Sequence, residues 1–122
     1  MKEKSGFAPG LSGVIARLEE LCSLRTGWLD GDGVELSREG VAWLRLFFEK
    51  LFPADIPFPY LYPTPEGDIQ AEWSDNVSLK INLARHCAEF FCLTEEETLS
   101  LNLDFLEDRC RLFEKLRGIC LS

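Results

Sequence analysis

The chain has 122 residues, 46% hydrophobic and 28% charged, with 21 Asp and Glu against 13 Lys and Arg and a net charge of −8. That length fits one domain, residues 1–122 with a loose leader over 1–10, and folding at this size removes roughly two-thirds of the unfolded surface from water, enough for a core without staples. The apolar runs are too short for a membrane span and the apolar fraction too high for a disordered chain, while the acidic balance opposes binding to the phosphates of nucleic acid.

The leader carries charge but lacks the apolar stretch of a secretory signal, so the expected compartment is the cytoplasm. Cysteine usage agrees: the number is odd at five, and no Cys-x-x-Cys pair occurs. Cys22 and Cys110 fall on the apolar stripes of predicted helices, where a thiol behaves as a small hydrophobe. Cys87 and Cys92 face opposite sides of a predicted strand. Reduced thiols follow, with neither a disulfide nor a metal holding the fold.

Leu11, Val14, Ile15, Leu18, Leu21 and Cys22 recur at the spacing of an amphipathic helix from about Leu11 to Leu24. Three glycines and two aspartates within Thr26–Gly33 then break the chain into a turn. Ser37 is a good N-cap for a second helix, and Leu36 and Val41 stand where a hydrophobic staple joins cap to first turn. Val41, Leu44, Phe47, Phe48 and Leu51 form its predicted buried stripe. Pro53 stops it, and Ile56-Pro57-Phe58-Pro59 leads away in extended form.

A sheet begins at Tyr60-Leu61-Tyr62, which Pro63 and Pro65 confine to an edge. From Asp68 to Leu83 apolar and polar residues alternate, with Ile69, Ala71 and Trp73 on one face of a strand and Val77, Leu79, Ile81 and Leu83 on one face of the next. A turn at Asp75-Asn76 joins them. A fourth strand runs from His86 to Leu93 and a fifth from Thr98 to Leu103. Asp104, with Glu107 three residues on, caps a last helix whose apolar side is Phe105, Leu106, Cys110, Leu112, Phe113 and Leu116. The predicted fold is α+β: an antiparallel sheet of about five strands in meander order, with two N-terminal helices and one C-terminal helix packed on one face.

Groups able to carry chemistry are sparse. Asp30-Gly31-Asp32-Gly33 starts like a calcium loop, but Glu35 stands where a glycine makes the sharp turn and Val41 where a bidentate Glu is needed, so a plain Gly/Asp turn is the better reading. His86 is the one histidine, and its neighbour Cys87 points to the other face of a strand, which leaves no Cys-His or Ser-His arrangement. No zinc spacing, phosphate loop or dinucleotide fingerprint occurs. Neither a catalytic residue nor a cofactor or metal site is assigned.

Gly27-Trp28, Asp30-Gly31, Ser37 and the run from Pro63-Thr64-Pro65-Glu66-Gly67 to Glu72-Trp73 follow an order that resembles a large group of uncharacterised small bacterial proteins. Their pattern is a Gly-Trp-Asp-Gly-type loop after a first helix, a Ser-initiated helix and a Pro-Thr-Pro-Glu-Gly…Glu-Trp entry into a hairpin. The specific part is residues 63–73, and Leu29 departs from the pattern by standing between Trp28 and Asp30. The resemblance implies a bacterial origin and this fold, and no activity.

Small size, acidity and the missing active site fit a non-enzymatic protein-binding module, an immunity- or antitoxin-like inhibitor or a chaperone of a basic partner. The expected contact residues are Glu72, Asp75, Glu89, Glu95, Glu96 and Glu97, on or beside the polar face of the sheet. A competing expectation is a homodimer through that face, burying Gln70, Ser78, Asn82, Ser100 and Asn102. The alternative class is a small enzyme whose site gathers Asp30, Asp32, Glu72 and His86.

Overall fold

The alternating segment becomes the centre of an antiparallel sheet in the computed structural model, which describes residues 10–93, 98–104 and 107–120. Strands β1 (Tyr60–Pro63), β2 (Ile69–Ser74), β3 (Val77–Asn82), β4 (Cys87–Leu93) and β5 (Thr98–Asp104) lie in chain order, each antiparallel to its sequence neighbour. Three α-helices accompany them: α1 (Leu11–Cys22), α2 (Arg38–Leu46) and α3 (Arg109–Cys120). The class is α+β. Among the described residues no helix is long and apolar enough to cross a membrane.

Parity decides which sheet face is buried. Ile69 and Ala71 of β2, Leu79 and Ile81 of β3 and Phe90 of β4 share one side and are almost completely buried. Val14, Leu18 and Leu21 of α1, Val41 and Leu44 of α2, and Leu112, Phe113 and Leu116 of α3 join them in a single core cluster. Each Val, Leu, Ile or Phe among them contributes about 1.5–3 kcal/mol by leaving water.

Helix α2 starts as its sequence indicates. Ser37 Oγ accepts the Gly40 N–H at 3.1 Å, and Leu36 and Val41 are both buried. Its end differs from expectation. Residues Phe47–Leu51 form a π-turn, closed by the Phe52 N–H donating to the Phe47 carbonyl at 3.1 Å. The wider turn rotates the residues that follow, so Leu51 is 38% exposed while Phe52 enters the cluster against Phe47, Phe48, Phe58 and Phe113.

Three other boundaries are corrected. A bulge between Glu72 and Ser74 interrupts the β2–β3 register, and Trp73, half-buried, donates from Nε1 to the Pro57 carbonyl at 2.8 Å. The last helix begins after Asp108 rather than at Asp104: Asp104 Oδ1 accepts the Glu107 N–H at 2.9 Å, and Asp108 Oδ2 accepts the Asp104 N–H at 2.8 Å. Both bonds lie ahead of Arg109, the first residue of the helix, and Cys110, expected on its apolar side, is exposed. The fourth strand begins at Cys87, because His86 lies in a turn with φ of 56°.

The Gly/Asp segment is a miniature hairpin. Leu29 and Asp32 exchange both backbone hydrogen bonds, at 2.7 and 2.8 Å, around Asp30 and Gly31, whose φ angles are 47° and 95°. Two positive φ values in a two-residue loop define the Asp-Gly hairpin turn. Trp28 Nε1 donates to the Val34 carbonyl at 3.0 Å, and Val34 N–H donates to Pro65 O at 2.9 Å, docking the segment on the β1–β2 connection.

Candidate functional site

With the helices on one side, strand parity presents a second row of side chains on the other. Successive register partners place Tyr60, Glu72, Ser78 and Phe91 in one line across β1 to β4. Tyr62, Gln70, Lys80 and Glu89 form the next. Asn82, Cys87 and Asp104 follow beyond them. Phe91 is 36% exposed and Leu93, on the same face of β4, 44%. Tyr60 and Tyr62 are half-buried at the β1 end. Aromatic and aliphatic groups therefore flank the carboxylates of Glu72 and Glu89, and Lys80 is the one base in the two rows.

Neighbours hold part of this surface in place. Gln70 Nε2 donates to Glu72 Oε2 at 3.0 Å. Lys80 Nζ lies 3.8 Å from Glu66 Oε1, an exposed pair that reaches over the β1–β2 connection. Asn82 turns away from the face: its Oδ1 accepts the N–H groups of Ala84 and Arg85 at 3.1 and 2.9 Å, and its carbonyl accepts from His86 N–H at 3.0 Å. That triple use makes Asn82 the organiser of the β3–β4 turn and a poor contact residue, against the sequence expectation.

Of the expected contact residues, Glu72 and Glu89 lie on this face, and exposed Asp75 sits at its rim in the β2–β3 turn. Glu95, Glu96 and Glu97 lie outside the described residues. The four residues suggested for an enzyme occupy separate places. Asp30 and Asp32 are in the small hairpin, Glu72 is on the outer sheet face, and His86 lies flat on Trp43 with ring centroids 4.0 Å apart and planes 1° from parallel. Among the described residues no three His, Cys, Asp or Glu side chains gather at one point.

Tyr60, Tyr62, Phe91 and Leu93 went unnoticed in the sequence as surface residues. Their signal was parity: each is offset by an odd number from a buried neighbour, Leu61 or Phe90, which assigns it to the outer face. No family model, no curated protein and no solved structure matches the chain.

Proposed function

We propose that the chain is a non-enzymatic binding module that takes a basic protein partner on the open face of its sheet, in the cytoplasm of a bacterium. Inhibition or chaperoning of that partner is the role such a module serves. The observation that carries the reading is the outer face of the sheet, where Tyr60 stands opposite Glu72, Tyr62 stands opposite Gln70, and Phe91 and Leu93 follow Glu89 along the same side of β4. Aromatic anchors supply contact area at low entropic cost, and the net charge of −8 raises the encounter rate with a basic surface.

The test begins with capture from a native cell extract and continues with the purified partner. Phe91→Ser and Glu89→Lys are expected to weaken its binding by at least about tenfold, the cost of a lost anchor or a reversed contact charge. The association rate should fall steeply as salt rises, because steering is screened over about 10 Å at 0.1 M. An acidic partner, or binding indifferent to both substitutions, overturns the reading.

A further inference from the structure

The small hairpin after α1 carries two Asp-Gly pairs whose peptide groups are held differently. At Asp30-Gly31 the glycine N–H is engaged, donating to the Gly27 carbonyl at 3.0 Å. At Asp32-Gly33 the engaged group is instead the Asp32 carbonyl, which accepts the Leu29 N–H at 2.7 Å, and among the described residues the Gly33 N–H has no hydrogen-bond partner. Both aspartates are exposed.

An aspartyl carboxyl can close a five-membered ring on the next peptide nitrogen, and a following glycine, having no β-carbon, leaves that nitrogen open to attack. A nitrogen already donating a hydrogen bond must give it up first, which burdens the first pair and not the second. A hydrogen bond accepted at the carbonyl also polarises its own peptide group and makes the N–H more acidic. The fold requires the glycine at position 33. Its φ is 94°, and a β-carbon there would stand 2.8 Å from Trp28 Cε2 and 2.9 Å from Trp28 Nε1. The packing of Trp28 thus excludes any residue that would shield the nitrogen.

We propose that Asp32 is a site of spontaneous covalent modification, isomerising through a cyclic imide to isoaspartate, and that Asp30 is spared. The Gly33 nitrogen bonds to Asp32 Cγ and gives up its proton, and the carboxyl hydroxyl leaves with that proton as water. Water then adds back. Breaking the new Cγ–N bond restores aspartate, whereas breaking the bond between the Asp32 main-chain carbonyl carbon and the nitrogen leaves isoaspartate, with the chain running through Cβ and Cγ and the α-carboxylate free. One water is lost and one regained, so no co-reactant is needed. Ring closure turns the Asp32–Gly33 peptide away from Leu29, a local opening confined to an exposed two-residue loop.

Isoaspartate adds one atom to the backbone between Asp32 and Gly33. Gly33 then cannot keep both its carbonyl on the Gly27 N–H, at 2.8 Å, and its α-carbon against the Trp28 ring. The next residue ties the hairpin to the sheet: the Val34 carbonyl accepts Trp28 Nε1–H at 3.0 Å, and the Val34 N–H donates to Pro65 O at 2.9 Å. Isomerisation at Asp32 therefore loosens the cover that Val34 places on the β1–β2 connection. The inference is independent of the partner reading above.

Prolonged incubation of the folded full chain in neutral buffer at physiological temperature, followed by digestion and electron-transfer fragmentation, locates each isoaspartate. It should accumulate at Asp32 several-fold faster than at Asp30. The preference should vanish in concentrated urea, where both pairs lose the hydrogen bonds that distinguish them. Asp32→Glu should remove nearly all isoaspartate from the folded chain, because the longer side chain would have to close a slower six-membered ring. In the aged fraction the Val34 amide should exchange its hydrogen several-fold faster. Equal yields at the two aspartates of the folded chain, a greater yield at Asp30, or none at Asp32 overturns the proposal, and a Val34 amide as protected after isomerisation as before overturns its consequence for the hairpin.

Discussion

Gly40 of α2 lies so close to Leu83, just past the end of β3, that a β-carbon at position 40 would stand 2.5 Å from Leu83 Cβ and 2.9 Å from its carbonyl oxygen. The first turn of the helix packs on the sheet through this contact. In an open helix Gly→Ala gains up to about 1 kcal/mol. Here Gly40→Ala should instead lose about 1–3 kcal/mol, because backbone must move to admit the methyl. Urea denaturation measures the difference, and a raised midpoint would show that α2 can slide.

Ile81 and Lys80 are neighbours on β3 with opposite fates, Ile81 fully buried and Lys80 exposed. Ile81→Asp should abolish cooperative folding, since an unpaired carboxylate in an apolar core costs several kcal/mol. Lys80→Ala should stay within about 0.5 kcal/mol of the unmodified chain, as surface changes usually do. Circular dichroism melts of the two variants check the register directly.

His86 combines an unfavourable backbone with a favourable ring contact. Its φ of 56° carries a penalty of about 1–2 kcal/mol for a residue with a β-carbon, and the parallel stack on Trp43 at 4.0 Å offsets it. His86→Ala keeps the penalty and loses the stack, whereas His86→Gly loses both. The alanine variant should therefore be the less stable of the two. A glycine variant melting below the alanine one would mean that the turn is not strained.

Arg117 of α3 grips Asp55 with two bonds, Nε to Oδ2 at 2.7 Å and NH2 to Oδ1 at 3.2 Å. The guanidinium hydrogen bond holds the Asp55 carboxyl below its ordinary value of 3.8. A lowered folded-state value means that the contribution is present above the ordinary value and disappears as pH falls through the lowered one. Asp55→Asn should lower the melting temperature slightly near neutral pH, less so in high salt, and the gap from the unmodified chain should close in strong acid. A gap that persists there would assign the effect to packing rather than charge.

Much of the scaffold was legible because its causes are local. The period of two in β2 and β3 sorts Ile69, Ala71, Leu79 and Ile81 from Gln70, Glu72, Ser78 and Lys80 without knowledge of what covers them. Ser37 with Leu36 and Val41 announces the start of α2 in the same way. Glu72 and Glu89 could be placed on the outer face by parity alone, but the aromatic residues that make that face a candidate site come from two strands far apart in sequence, β1 and β4, and only the pairing register places them on one sheet.

Composition, periodicity and capping by themselves determined the α+β class, the antiparallel pairing of the central hairpin and the faces of its strands, because each depends on residues within a few positions of one another. Tertiary packing decided the rest. Several phenylalanines converging on Phe47 and Phe113 favour a π-turn over a regular helix end, which turns Leu51 outward and Phe52 inward. The Asn82 hydrogen bonds and the Trp43 stack take His86 out of the strand. The β1 edge is covered because Arg17 and Val34, both distant in sequence, donate to the carbonyls of Leu61 and Pro65. Such contacts join segments tens of residues apart, so their outcome is set by which surfaces meet, and no local pattern records that.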